Sequence, residues 1–181
     1  MPRLDNPRTK ILQTAQQMAQ NRGFGGFSFR DIAADIGIKS ASIHYHFPTK
    51  DHLIIEISKT YREDFFATLG SKTKEIDDPL QRIMTLVAMF RHVLTQDHRM
   101  CLCGMLAADI ELLSLEARAE IKLFFDASVN WLAQQWAAHG SDEAHNKAMD
   151  TFVRLEGGML ISRISASTEP FDVIERAIAA G

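Results

Sequence analysis

Apolar residues recur along this chain at intervals of three and four, and nowhere in the strict alternation of a half-buried strand, so the pattern predicts an all-α protein. Ile11, Leu12, Ala15, Met18 and Ala19 line a first helix that stops at Gly23. Ile32, Ala33 and Ile36 form the stripe of a short second helix, Gly37 turns the corner, and Ile43 and Phe47 are the inward positions of a short third helix with Ser40 placed to cap it. A long fourth helix begins near Lys50 with Leu53, Ile54, Ile57, Tyr61 and Phe65 on its apolar face. Asp77-Asp78-Pro79 breaks the pattern and restarts it, because proline fits the first turn of a helix. Ile83, Leu86, Val87, Phe90 and Leu94 follow, then a helix from about Leu102 to Leu113, another opened by Ser114 and closed at His139-Gly140-Ser141, and one from about Asp142 to Ile164. Glu169-Pro170 starts a last helix carrying Phe171, Ile174 and Ile178.

The second and third helices with their glycine corner read as a helix-turn-helix. With Ile43 and Phe47 turned inward, Ser40, Ala41, Ser42, His44, Tyr45 and His46 are left outward, small, hydroxylic and aromatic groups suited to a groove and its phosphates. Charge sharpens this picture. The net charge is −3, yet residues 1 to 50 hold seven Lys/Arg against three acids, a net of +4, and the rest of the chain holds 13 against 20, a net of −7. The basic end is the phosphate-binding end.

The segment from about residue 7 to 55, with Ile11-Leu12 and Ala15, Gly23, Phe27-Ser28-Phe29-Arg30, the helix-turn-helix, Tyr45-His46-Phe47, Lys50 and Leu53, resembles the DNA-binding domain of the TetR family of bacterial regulators. The resemblance implies a three-helix DNA-binding domain over 1–50 and a helical effector-binding and dimerisation domain over 51–181. It implies a dimeric repressor that leaves a palindromic double-stranded operator when a small apolar or electrophilic effector binds. It further places Arg30, Ser40, Ala41 and His44 on base edges and Tyr45, His46 and Lys50 on phosphates. A hydroxyl tolerates several bases, Ala41 suits a thymine methyl and Arg30 can donate twice to guanine. The helix starts near Ser28 and Lys50 also suit phosphate.

Two further patterns bear on regulation. Cys101 and Cys103, two apart, point away from each other on a helix and are not a disulfide pair. A helix starting near Leu102 would lower the Cys101 pKa, helped by His98 and Arg99, so Cys101 and then Cys103 are candidate thiol sensors. The stretch also resembles a branch of the family in which a cysteine stands here and some members answer electrophiles or oxidants. Met84, Met89, Phe90, Met105, Phe124, Phe125, Trp131 and Met159 offer soft bulk for an apolar effector site, with Met105, Phe124 and Phe125 the candidate effector contacts. In the helix up to Ile164, Ala148, Phe152, Leu155, Met159 and Ser162 step as a helix–helix seam, beside a second line of Met149, Val153, Leu160, Ile161 and Ile164. Two apolar surfaces predict a homodimer, and Phe152, Leu155, Met159, Phe171 and Ile174 are the expected contacts, with Gly157-Gly158 permitting close approach.

No cofactor, metal site or enzymatic constellation is read from the chain. A thiol redox enzyme using Cys101 and Cys103 lacks an accompanying His/Asp set or phosphate loop, and a protein-interaction module without DNA binding sits poorly with the basic end. No apolar run reaches the ~20 residues of a membrane span, Met1-Pro2-Arg3-Leu4-Asp5 does not open a signal peptide, and two cysteines form no secreted framework, so a cytoplasmic protein is expected.

Overall fold

The computed structural model describes residues 6–181. Met1-Pro2-Arg3-Leu4-Asp5, on which the leader reading and two of the counted charges fall, lies outside the described residues. All regular structure among the described residues is helical, and no helix is long and apolar enough to cross a membrane. The chain packs as two compact units: one runs up to Glu63 and includes Leu102–Leu123, the other is Asp64–Cys101 with Phe124–Gly181.

In the first unit, α1 (Pro7–Arg22) is capped by Asn6, whose side chain accepts from the Arg8 N–H, and buries Ile11, Ala15 and Ala19 completely. The start of α2 (Phe29–Ile36) is a reciprocal capping box between Ser28 and Asp31. Its end is Gly37 at φ +71° and ψ +34°, a left-handed corner that would cost any other residue type about 1 kcal/mol. Lys39, not Ser40, precedes α3 (Ser40–His46), and no side chain caps it; Ser40 is its first residue. Ile43 and Phe47 are fully buried, as the pattern predicts.

The first half of α4 (Lys50–Thr73) joins this unit through Leu53, Ile54 and Ile57. So do α6 (Leu102–Ala108), a 3₁₀ turn at Ile110–Leu112, and the first turns of α7 (Leu115–Ala138). The helix expected to reach Leu113 stops at Ala108. Asp109 leaves the α-helical run and accepts the Phe24 N–H at 2.7 Å, tying the end of α6 to the loop after α1. The unit therefore recruits residues far past position 50, because compactness is set by such contacts and not by chain order.

The second unit holds the remainder of α4 and α7 with α5 (Pro79–Thr95), α8 (Ala144–Ser165) and α9 (Glu169–Ala179). Asp78 caps α5 ahead of Pro79. Phe65, Phe90, Phe124 and Phe152 meet edge-on or tilted at centroid distances of 5.2 to 6.3 Å and form its centre. Trp136 Nε1 donates to Thr151 Oγ1 at 3.0 Å, satisfying the polar ends of both buried side chains between α7 and α8. α9 lies close on α8 at Gly158, where a Cβ would come within 2.5 Å of Ile174 Cδ1; Gly157 faces open space. Arg91 on α5 clamps α9 by donating to Asp172 and Glu175.

Four of the five expected dimer contacts are buried within the subunit itself, and the fifth, Ile174, is half-buried. Phe152 is 3% exposed and Leu155, Met159 and Phe171 are wholly buried, so that seam is the subunit's own core beneath α9. The parallel line is the one left bare: Val153, Leu160 and Ile161 are more than half exposed and Ile164 is 88% exposed. Sequence periodicity marks both lines equally, and α9 covers only one.

Candidate DNA interface and effector cavity

Ile43 and Phe47 anchor α3 from beneath, which turns Ala41, Ser42, His44 and Tyr45 to solvent and leaves Ser40 and His46 half-buried. Tyr45 is 83% exposed, far more than an unpartnered aromatic on a sealed surface, and its ring meets His46 edge-on at 5.2 Å. His44 packs edge-on against Phe29 at 4.8 Å, which steadies the imidazole at the rim of the helix. Arg30 is exposed on α2. Ala41, His44 and Tyr45, three and four apart, share the exposed face of α3, with Ser40 at the helix start.

Lys50 departs from its expected role. Its Nζ donates to the carbonyls of Phe24 and Phe27 and lies 4.5 and 4.2 Å from the centroids of their rings. Desolvation holds its pKa below the usual lysine value, against the pull of Asp31 and Asp109. The ammonium closes the loop between α1 and α2 from the start of α4; it is structural and is not a free phosphate clamp. The α2 N-terminus is likewise already matched with an anion. Asp31 accepts from Ser28 N and Oγ at 2.7 Å, and those bonds hold its pKa low. Arg8 reaches Glu56 at 2.6 Å and covers the Phe47 ring, locking α1 to α4 beneath α3.

The thiols are placed differently from expectation. Cys101 stands one residue before a helix of only seven residues and is 1% exposed; Cys103 is fully buried. The side-chain partner of Cys101 is the carboxyl of Glu156. Both sulfurs are shielded from solvent, so neither stands where an electrophile or oxidant in solution would meet it. Met105 packs with the first unit, 3.9 Å from where a Cβ on Gly23 would stand, and Phe124 belongs to the aromatic centre. Of the five effector candidates, Phe125 lines a sizeable cavity.

That cavity, about 710 Å³, lies between α7 and α8 with Phe125, Val129, Met149, Phe152, Val153 and Glu156 among its walls. Its volume is that of a small-molecule site, and it opens to solvent past Met149 and Val153. Glu156 is the residue that sequence reasoning missed. Burial pushes its carboxyl up to about 7, partly opposed by the Cys101 thiol, and its Oε1 is buried without a hydrogen-bond partner. The only signal was an acid set between Leu155 and Gly157 on a helix with two apolar lines, which reads as a solvated position. Among the described residues no group of three or more His, Cys, Asp or Glu could hold a metal ion.

Comparison with known proteins covers both halves of the chain. The domain described as "Bacterial regulatory proteins, tetR family" matches residues 11–57, and "Transcriptional regulator LmrA/YxaF-like, C-terminal domain" matches residues 79–177. The HTH-type transcriptional regulator LmrA of Bacillus subtilis is 26% identical over 168 residues, 90% of this chain and 89% of the relative. The HTH-type transcriptional repressor KstR2 of Mycobacterium tuberculosis is 29% identical over 83 residues, 46% of this chain and 42% of the repressor. The crystal structure of a TetR transcriptional regulator from Legionella pneumophila superposes with a TM-score of 0.91 at 29% identity, covering 97% of each chain.

Proposed function

The chain belongs to the TetR family of bacterial transcriptional regulators, and on that premise we propose that it is a homodimeric repressor, released from its operator when a small molecule occupies the cavity between α7 and α8. The observation that carries DNA binding is α3 itself: a buried Ile43/Phe47 edge with Ala41, Ser42, His44 and Tyr45 presented outward. Ser40, Ala41, His44 and Arg30 read base edges, and Tyr45 and His46 contact phosphates. Two such helices in a dimer meet successive major grooves, about 34 to 36 Å apart or a little more, on an inverted repeat.

Dimerisation uses the C-terminal part of the bare line of α8, Leu160, Ile161 and Ile164, exposed apolar side chains of the kind a partner subunit covers. A ligand releases DNA only by as much as it prefers the low-affinity state, and operator DNA must weaken ligand binding by the same factor. The buried thiols favour a reversibly bound effector over one that alkylates or oxidises Cys101 or Cys103. The deciding measurement is fluorescence anisotropy of the purified protein on DNA from its own gene neighbourhood and on scrambled DNA. Salt-dependent binding at least a hundredfold tighter to one inverted repeat supports the reading, with Arg30→Ala and Ser40→Ala relaxing base preference. Equal affinity for both DNAs overturns it.

A further inference from the structure

A carboxyl is an expensive wall for an apolar cavity. Glu156 sits between the fully buried Leu155 and the open Gly157 on α8, yet its carboxyl has a single identified partner, the weak thiol donor of Cys101, and its Oε1 has none. Removing a carboxylate from water without donors costs far more than placing a leucine or methionine there, so a residue chosen for packing alone would not be an acid. The rest of the lining adds a second acid and an imidazole. Asp126 and His145 share the wall, and no lysine or arginine among the described residues does. Phe125 and Phe152 both line the cavity and stand at 5.5 Å with their planes 88° apart. Buried carboxyl, aromatic rings and apolar sides together complement one kind of ligand.

We propose that the cavity between α7 and α8 binds a lipophilic organic cation, a tertiary or quaternary amine, with the positive nitrogen against Glu156 and the aromatic rings and the apolar body against Val129, Met149 and Val153. The inference rests on the reading of this cavity as the effector site and names the chemistry of its ligand. A quaternary nitrogen needs no hydrogen-bond acceptor geometry, only charge and a desolvated surface, which the orphaned oxygen and the rings supply. The cation also relieves the cost of ionising Glu156 in place. Binding is therefore linked to loss of the carboxyl proton: with a value of about 7, roughly one carboxyl in eleven is ionised at pH 6 and ten in eleven at pH 8.

The test is calorimetric titration of the full chain with phenyltrimethylammonium and with tert-butylbenzene, its neutral isostere, at pH 6, 7 and 8. The wild type binds the cation at least tenfold tighter than the isostere at pH 8, and its affinity for the cation rises about tenfold from pH 6 to pH 8. Glu156→Gln, which keeps the shape and removes the charge, loses the preference and flattens the pH dependence. Asp126 and His145 are retained in both proteins, so the difference between them reports Glu156. Equal affinity for cation and isostere, an unchanged preference in Glu156→Gln, or no saturable binding of the cation overturns the proposal. The wild-type preference for the cation over its neutral isostere decides independently of how well the variant folds. The same preparations are titrated with operator DNA: cation binding without DNA binding removes the repressor reading and leaves the cation site, and DNA binding without cation binding does the reverse.

Discussion

Replacing Glu156 by glutamine makes the protein more stable at neutral and alkaline pH, and by an amount the structure sets. Burial raises the carboxyl from 4.5 to about 7. The difference of about 2.5 units, at 1.36 kcal/mol each, comes to about 3 kcal/mol. The sign follows from proton binding. Below pH 4.5 the acid is protonated in both folded and unfolded chains and contributes nothing. Between 4.5 and 7 the folded chain holds the proton that the unfolded chain has released, so stability falls as pH rises, and above about 7 the full cost is present. Glutamine cannot ionise, and any cost of its buried amide is the same at every pH. Urea denaturation of both proteins at pH 5, 6, 7 and 8, at one protein concentration, gives the quantity needed: the stability of Glu156→Gln minus that of the wild type. It grows by about 2.5 kcal/mol from pH 5 to pH 8, with all other titrating groups cancelling. Parallel curves would show that water or a relaxed conformation solvates the carboxyl, and would refute the burial argument.

Lys50→Ala loses two charge-assisted bonds to the Phe24 and Phe27 carbonyls, so thermal and urea unfolding should show a loss of about 2 kcal/mol while the salt slope of operator binding stays within experimental error; a slope reduced by about one with unchanged stability would return Lys50 to the phosphates. Ile164→Asp, on the bare line of α8, converts the dimer to a folded monomer by sedimentation, whereas Met159→Asp, at a fully buried position, unfolds the second unit; dissociation without unfolding in Met159→Asp would reverse that assignment. Arg91→Ala frees α9 from α5 and lowers the melting temperature at pH 7. Because the Arg91 guanidinium holds Asp172 below its usual 3.8, the Asp172 part of the wild-type advantage is present above that value and fades as pH falls through the lowered one, which melting curves taken down to pH 3 would register as convergence.

The sequence by itself determined what depends on neighbours three, four or seven residues away. The helix-turn-helix was legible because Ile32, Ile43 and Phe47 must share one buried edge, Gly37 must take the left-handed corner, and what remains of α3 must face outward. Asp78-Pro79 and Glu169-Pro170 announced their helices for the same local reason.

The tertiary structure alone decided which of several equivalent local patterns meets which distant partner. Both apolar lines of α8 fit a helix equally; only the seating of Phe171 and Ile174 against Gly158 makes Met159 core and leaves Ile164 bare. Lys50 looks like a surface cation until the loop 23 to 26 residues earlier in the chain brings it two carbonyls. Cys101 looks like a helix-start thiol and Glu156 like a solvated acid, 55 positions apart in the chain, and each changes character because folding buries them against one another. A side chain's charge state and accessibility are properties of its surroundings in space, and spacing along the chain carries that information only as far as one helix reaches.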